Sequence, residues 1–163
     1  DDGNRILIMG ATSYNIKLRE SAEVLSETQT ANGILPMSYR YENANHQRFL
    51  VINVNTRSDK DNVLKHYARS RQYAEQIPWL GGQKMPAYVY GSPALYIQCK
   101  QGEGALAVGL WNFFADAVLS PTVQLDKEYS AITCINCEGR LDGDQAHLSD
   151  IPPFGFVAFE VKQ

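Results

Sequence analysis

Residues 95–114 constrain the fold of this chain most, because they predict a β-hairpin. Residues 95–100 alternate between apolar positions and polar or aromatic ones, the turn sequence QGEG follows at 101–104, and an unbroken apolar run returns at 105–111. Alternation with a period of two places one face of the first strand on a core, whereas an unbroken apolar strand indicates burial on both faces. We therefore expect the second strand to lie centrally in a sandwich.

Short apolar runs separated by turn residues continue through the C-terminal half of the chain. They predict strands at residues 87–90, 122–125, 131–137, 145–148 and 155–161, with a turn at Asp142-Gly143-Asp144. Several short strands at this spacing are typical of a sandwich. Residues 84–163 are therefore predicted to form a C-terminal β-sandwich.

The N-terminal half, residues 1–83, has a mixed pattern that predicts an α+β segment. Residues 22–26 predict a strand and residues 37–55 a hairpin, whereas residues 58–80 predict one long helix with an apolar stripe at helical spacing. Pro78 is expected to end or kink this helix. A further short strand at residues 6–9 runs into a single glycine, Gly10, which is too few for a phosphate-binding loop. The expected fold class is α+β, mostly antiparallel β.

Composition excludes several classes of function. The 163 residues carry a net charge of −3 with both signs interspersed, so neither nucleic acid nor an anionic membrane is an expected partner. No apolar run reaches the roughly 20 residues that a membrane-spanning helix needs. The sequence shows no signal peptide, and an odd number of cysteines, three, argues against a disulfide framework. These features favour a cytoplasmic protein.

Cys134 and Cys137 form a C-x-x-C motif, which a zinc site or a thiol redox site could use. Three residues apart on a predicted strand, the two thiols would point to opposite faces and could not chelate one ion. The interpretation favoured here is a pair of packed thiols. No metal and no cofactor are therefore expected.

The remaining polar residues predict no catalytic constellation. The three histidines, His46, His66 and His147, are predicted on a turn, a helix and a strand. None has a carboxylate or a serine at a spacing that would indicate a catalytic site. Asp142 and Asp144 flank Gly143 as in a tight turn, without the further oxygen ligands of a calcium loop. We predict no catalytic residue in this chain.

The order of several short motifs resembles the C-terminal region of large bacterial glycoside hydrolases of the β-galactosidase type. These motifs are YRYEN at 39–43, RFLVIN at 48–53, WLGG at 79–82, MPA at 85–87, LWN at 110–112 and IPPFG at 151–155. The resemblance implies the end of an amidotransferase-like α/β domain followed by a closing β-sandwich. In such proteins the catalytic carboxylates lie in an N-terminal barrel, which this sequence lacks. The first strands of a parallel sheet are also absent, so the helix would pack on the 37–55 hairpin.

Three functional hypotheses follow. The leading one is a non-catalytic accessory region of a larger carbohydrate-active protein, which supports domain packing or oligomerisation. Its partner would be the remainder of a longer chain or a second copy. The alternative is a carbohydrate-binding module that stacks Tyr88, Tyr90 and Tyr96 on sugar rings, and the third is a small standalone hydrolase. The supporting role predicts a contiguous exposed apolar patch, whereas an enzyme would need a polar cleft.

Overall fold

The computed structural model describes residues 13–31, 33–54, 69–89, 92 and 94–163. Within these ranges the protein is mostly antiparallel β-sheet with one α-helix, which confirms the predicted fold class. The chain divides into two compact units, unit 1 with residues 1–69 and 79–82, and unit 2 with residues 70–78 and 83–163. The predicted strand at 6–9 and the first part of the predicted helix, residues 58–68, lie outside the described residues. No helix in the described ranges is long and apolar enough to cross a membrane.

Unit 1 contains a three-stranded antiparallel sheet. Its strands are β1 (Glu23–Thr30), β2 (Gly33–Glu42) and β3 (Arg48–Ile52), in the order β1-β2-β3. The predicted hairpin is therefore confirmed as β2 and β3, joined by the polar turn at residues 43–47. Tyr41 and Phe49 are directly paired across the two strands, and their rings stack with centroids 4.7 Å apart. Such cross-strand aromatic pairs fix the register of a hairpin.

A buried amide ties the start of the described chain to this sheet. Asn53 is 5% exposed, and its side chain accepts a hydrogen bond from the Tyr14 N–H and donates to the carbonyl oxygens of Tyr14 and Pro36, at 2.8–3.0 Å. Every polar atom of this amide that lies in the interior therefore has a partner.

The helix α1 spans Arg69–Gly81 in the described part of the chain. It continues past Pro78 rather than ending there, and it stops where Gly82 takes a φ of +71°. A glycine in this left-handed conformation is a common helix terminator. The Trp79 ring near the helix end lies 4.9 Å from the Arg40 guanidinium of β2 and 5.6 Å from that of Arg48 in β3. Arg48 also donates a 2.7 Å hydrogen bond to the Trp79 carbonyl oxygen.

Unit 2 contains two four-stranded antiparallel sheets. One sheet has the order β4-β7-β10-β9, with β4 at Ala87–Val89, β7 at Thr122–Leu125, β9 at Gly139–Asp142 and β10 at Gln145–Leu148. The other has the order β5-β6-β11-β8, with β5 at Leu95–Gly102, β6 at Ala105–Asn112, β8 at Ala131–Ile135 and β11 at Phe156–Lys162. We call them the β4 sheet and the β5 sheet.

The two sheets share one hydrophobic core, as a sandwich requires. Its largest fully buried apolar side chains are Leu106, Leu110, Val123, Ile151 and Phe159, which come from both sheets and from the segment before β11. The 95–114 hairpin is confirmed as β5 and β6, and β6 is central in its sheet.

The expectation that β6 is buried on both faces is wrong. Leu106, Val108 and Leu110 point into the core, but Ala107 between them is exposed and Gly109 is half-buried. The outer face of β6 carries Ala107, Gly109 and Trp111, which are all apolar by residue type. The run is therefore apolar throughout, although only one face of the strand meets the core. The strand therefore has one core face and one outer face.

Candidate functional site

Three aromatic side chains form a row across the outer face of the β5 sheet. Tyr96 in β5 is paired with Trp111 in β6, and Trp111 is paired with Phe156 in β11. Their neighbours Ile97, Leu110 and Val157 belong to or pack on the core, so the three rings point to the opposite side of the sheet. Ring centroids are 6.0 Å apart for Tyr96 and Trp111 and 4.6 Å apart for Trp111 and Phe156.

Gly109 makes room for this row. A Cβ atom at this position would lie 2.9 Å from Cη2 of Trp111 and 3.3 Å from Cε2 of Phe156, so the two rings lean over the space that a side chain would fill. Such a close approach is one reason for a glycine inside a strand. The glycine that interrupts β6 therefore shapes the outer surface rather than the core.

Three exposed phenylalanines lie in the loops that adjoin the row. Phe113, Phe114 and Phe154 are 63%, 53% and 73% exposed, and the Phe113 ring lies 6.1 Å from that of Tyr96. The Phe154 N–H donates to the Phe114 carbonyl oxygen at 3.2 Å, which holds the two loops side by side. We call the whole set the aromatic face: Tyr96, Trp111, Phe113, Phe114, Phe154 and Phe156.

Asn112 fixes the loops that carry these phenylalanines. Its side chain is buried, with 1% exposed, and its Nδ2 donates to the carbonyl oxygens of Asp116 at 2.8 Å and Pro152 at 3.0 Å, with Ile151 O at 3.5 Å. Its Oδ1 accepts from the Phe114 N–H at 3.0 Å. One amide thus links the loop after β6 to the loop before β11, because an asparagine can donate and accept at once.

The aromatic face is almost free of charge. Residues 94–98, 109–116 and 151–158, which supply it and its immediate chain neighbours, contain one side chain that is charged at neutral pH, that of Asp116. The next charged positions on the outer face are Lys100 and Glu160, which are both paired with Ala107. The polar contact recorded at the row itself is neutral, from Gln98 Nε2 to the Tyr96 hydroxyl oxygen at 3.3 Å. Exposed apolar surface of this kind marks a binding or docking site more often than ordinary protein surface.

Of the three predicted sugar-stacking tyrosines, the structure describes two, Tyr88 and Tyr96, and these lie on different sheets. Tyr88 lies in β4 between the core residues Ala87 and Val89, so it points to the outer face of the β4 sheet, whereas Tyr96 belongs to the β5 sheet. Tyr90 lies outside the described residues. The sequence did not predict that Trp111 and Phe156 lie beside Tyr96. Their row depends on the register of β5, β6 and β11, and β6 and β11 are far apart in the chain.

Cys134 and Cys137 lie on the same side of the backbone, and the prediction that they point to opposite faces is wrong. The strand β8 ends at Ile135, and Asn136 has a φ of +59°, which turns the chain before Cys137. Both side chains pack against the hydrophobic core. Burial, followed by the neighbouring Cys134, raises the pKa of Cys137 to about 11. A thiol with so high a pKa is mostly protonated at neutral pH, so it attacks a disulfide slowly.

The described histidines lie in separate polar contacts. His46, in the turn between β2 and β3, lies 2.8 Å from Glu42, and the hydrogen bonds from His46 and then Arg48 lower the pKa of that carboxyl. His147 in β10 contacts the Thr122 hydroxyl through Nδ1 at 3.0 Å. His66 lies outside the described residues. Within the described ranges, no group of three or more histidine, cysteine or acidic residues is placed to hold a metal ion.

The turn between β9 and β10 has the predicted conformation. Gly143 takes a φ of +58° between Asp142 and Asp144, which a residue without a Cβ adopts at little cost. The strand β9 itself was not predicted, because its four residues, GRLD, include only one large apolar side chain.

Comparison with known proteins gives a weak similarity of fold. No family model and no curated protein matches the chain. Among solved structures, Gan42B, a GH42 beta-galactosidase, matches 78% of this chain at 10% identity with a TM-score of 0.42. A catalytic mutant of Gan42B from G. stearothermophilus matches 96% of this chain at 9% identity with a TM-score of 0.39. This chain spans only 16% and 23% of those chains. Similarity at this level does not assign the chain to a family.

Proposed function

We propose that this chain is a non-catalytic accessory region of a larger carbohydrate-active protein, and that it self-associates through the aromatic face. The motifs that resemble the C-terminal region of β-galactosidase-type hydrolases suggest the first half of this proposal. The second half rests on one observation, the row of Tyr96, half-buried Trp111 and Phe156 on the outer face of the β5 sheet, with exposed phenylalanines in the adjoining loops. A supporting domain needs such a patch, because it must bury apolar area against its partner.

The composition of the aromatic face favours a protein surface as its partner. Four of its six members are phenylalanines, which carry no hydrogen-bonding group. A sugar presents hydroxyls around its ring. Binding is weakened when these hydroxyls lose their hydrogen bonds to water and gain none from the protein. Aromatic side chains with few charges are, in contrast, enriched in the buried centre of protein interfaces.

A second copy of the chain is the partner that the charge distribution fits best. In a two-fold interface each side chain approaches the same set of residues in the other subunit, so charged patches meet like charges. Here Asp116 is the one side chain charged at neutral pH in residues 94–98, 109–116 and 151–158, which build the aromatic face. Self-association through this surface therefore carries little electrostatic cost.

Carbohydrate binding is the second candidate, favoured by one specific contact. The Gln98 amide donates to the Tyr96 hydroxyl oxygen, which places two polar groups beside the Trp111 ring. A stacked sugar could exchange hydrogen bonds with these groups while covering the indole. This site would use Tyr96 together with Trp111, not with Tyr88.

Sedimentation velocity of the purified chain tests the leading proposal. Between about 1 and 200 µM protein we expect a concentration-dependent shift from monomer to dimer, as mass action requires. Tyr96→Lys should abolish the shift, because it places like charges opposite each other in the dimer. Ile34→Lys is the matched control, since Ile34 is similarly exposed but lies in unit 1. It should dimerise like the wild type.

A parallel titration distinguishes the two candidates. In a Trp79→Phe background Trp111 is the sole tryptophan, so its emission reports directly on the aromatic face. If the wild type stays monomeric throughout while β-linked galactoside oligosaccharides shift this emission saturably, the self-association proposal is wrong and the carbohydrate-binding candidate replaces it. Monomeric protein without any sugar response would contradict both.

A further inference from the structure

The C-x-x-C motif lies where the chain crosses from one sheet of the sandwich to the other. Strand β8 belongs to the β5 sheet and β9 to the β4 sheet, and residues 136–138 connect them. The chain bends there, where Asn136 takes a left-handed φ of +59°. Asparagine tolerates this conformation better than most residues. The bend directs the Cys134 and Cys137 side chains to the same hydrophobic core.

The surroundings hold the two sulfur atoms in place. Both cysteines pack against the core, and the Cys137 thiol donates to the Ala158 carbonyl oxygen of β11 at 3.8 Å. On the other side, a Cβ atom at Gly139 would lie 2.9 Å from the Cys134 sulfur, so only glycine leaves room for it. Both sulfur atoms therefore have close neighbours that restrict their positions, and the Cys134 sulfur packs against Gly139, the first residue of β9.

We propose that Cys134 and Cys137 are an oxidation site that closes to an intramolecular disulfide at this crossover. The oxidant is a low-molecular-weight disulfide such as oxidised glutathione. Cys134 loses its proton and attacks one sulfur of oxidised glutathione, so that the S–S bond of glutathione breaks and one glutathione thiolate leaves. The other cysteine then loses its proton and attacks the mixed disulfide, so that a second glutathione leaves. The two protein thiols are oxidised, and two molecules of reduced glutathione carry away the electrons and protons.

A disulfide fits this pair better than a metal ion does. A structural zinc site takes four ligands, and the parts of the chain that the structure describes bring no third histidine, cysteine or acidic residue to these two thiols. A bond between them needs no further residue. The disulfide would close a four-residue loop at the edge of the sandwich. A disulfide that closes a loop of this length raises the midpoint of thermal unfolding by roughly 4 °C.

The experiment is a redox titration of the whole chain in glutathione buffers of graded potential. After each equilibration, remaining thiols are blocked with iodoacetamide in denaturant and the protein is digested with trypsin. Cleavage after Lys127 and Arg140 leaves both cysteines in one peptide, EYSAITCINCEGR, and Cys99 in another. We expect the first peptide to become unblocked and two hydrogen atoms lighter in oxidising buffer, while the exposed Cys99 is alkylated or carries one glutathione.

Two variants complete the test. Cys99→Ser leaves the pair intact and should oxidise as the wild type does. Cys137→Ser should instead accumulate a glutathione adduct on Cys134, because the second attack is missing, and it should lose the oxidant-dependent rise in the unfolding midpoint. The proposal is wrong if the wild-type peptide stays fully alkylated in the most oxidising buffer, or if it carries only glutathione adducts. Oxidation confined to a Cys99-linked dimer would also overturn it.

Discussion

Replacing Asn112 by aspartate tests whether one buried amide holds the loops of the aromatic face. The variant keeps an oxygen that accepts from the Phe114 N–H, but it puts a second oxygen where Nδ2 now donates to the carbonyl oxygens of Asp116 and Pro152. Asn112→Asp therefore sets acceptor against acceptor in a place that is 1% exposed. Asn112→Ala is the control, since it removes all three of these hydrogen bonds without adding a charge.

The expected losses follow from the number of contacts. Asn112→Ala gives up three good hydrogen bonds at roughly 1 kcal/mol each, so the free energy of unfolding should fall by about 3 kcal/mol. Asn112→Asp gives up two, about 2 kcal/mol, and adds an unpaired buried charge whose cost is about 3 kcal/mol or more. The total at pH 8 is about 5 kcal/mol.

The two variants should also differ in their dependence on pH. Burial and the facing carbonyl oxygens disfavour the ionised aspartate, so its pKa in the folded state lies above the unfolded value of about 3.9. When folding raises the pKa of a carboxyl, the loss of folding free energy that it causes is smallest below its unfolded pKa and largest above its folded pKa. The deficit of Asn112→Asp relative to wild type should therefore shrink as the pH falls toward 4, whereas that of Asn112→Ala should stay constant.

Urea unfolding followed by Trp111 emission in the Trp79→Phe background measures both effects on unit 2. The wild type, carrying Trp79→Phe alone, is the reference at each pH. The reasoning is refuted if Asn112→Asp is no less stable than Asn112→Ala at pH 8, or if the difference between them is the same at pH 4 and pH 8.

Three further perturbations probe other parts of unit 2. Phe159→Ala removes the largest fully buried side chain of the core and should lower the free energy of unfolding by about 3 to 5 kcal/mol in urea titrations. Leu119→Ala is the control, because Leu119 is 72% exposed and its loss should change that free energy by less than about 0.5 kcal/mol. Burial and the hydrogen bond to Asp126 raise the pKa of Tyr129 to about 12, so its contribution to stability is complete below pH 10 and is lost as the pH rises toward 12. Alkaline unfolding followed by circular dichroism should show this loss in the wild type and not in Tyr129→Phe; equal profiles would contradict it. Gly143→Ala forces a side chain into a φ of +58° and should cost about 1 kcal/mol, and an unchanged urea midpoint would show that the turn relaxes.

The hairpin at residues 95–114 was predictable because its signals are local. Alternation in β5, the turn at 101–104 and the apolar run in β6 lie within twenty residues, and the pairing of Leu95 with Asn112 follows from the turn. Burial of β6 was not predictable in the same way. Ala107 and Gly109 are apolar by residue type, but whether they face a second layer depends on strands that come much later in the chain.

The aromatic face shows the same limit from another side. The sequence predicts Tyr96 as a site residue together with Tyr88 and Tyr90, but it does not predict the ring contact between Tyr96 and Trp111 on the neighbouring strand. Pairing of β6 with β11 places Phe156 beside Trp111, and no local pattern specifies that register. The cysteine pair, in contrast, carried a local signal that was overlooked. Asn136 is one of the few residue types that enter the left-handed region readily, and this turns a pair on opposite faces into a pair in contact.

The position of β11 determines when the β5 sheet can be completed. Residues 156–162 follow every other strand of that sheet in the chain, yet they lie between β6 and β8 and pair with both. On a ribosome, the hairpin of β5 and β6 can form early, but β8 has no partner in its sheet until residue 162 has left the exit tunnel. Nascent chains stalled before Phe156 should therefore expose Leu106, Val108 and Leu110 to chaperones and proteases, and protection should arrive in a single late step.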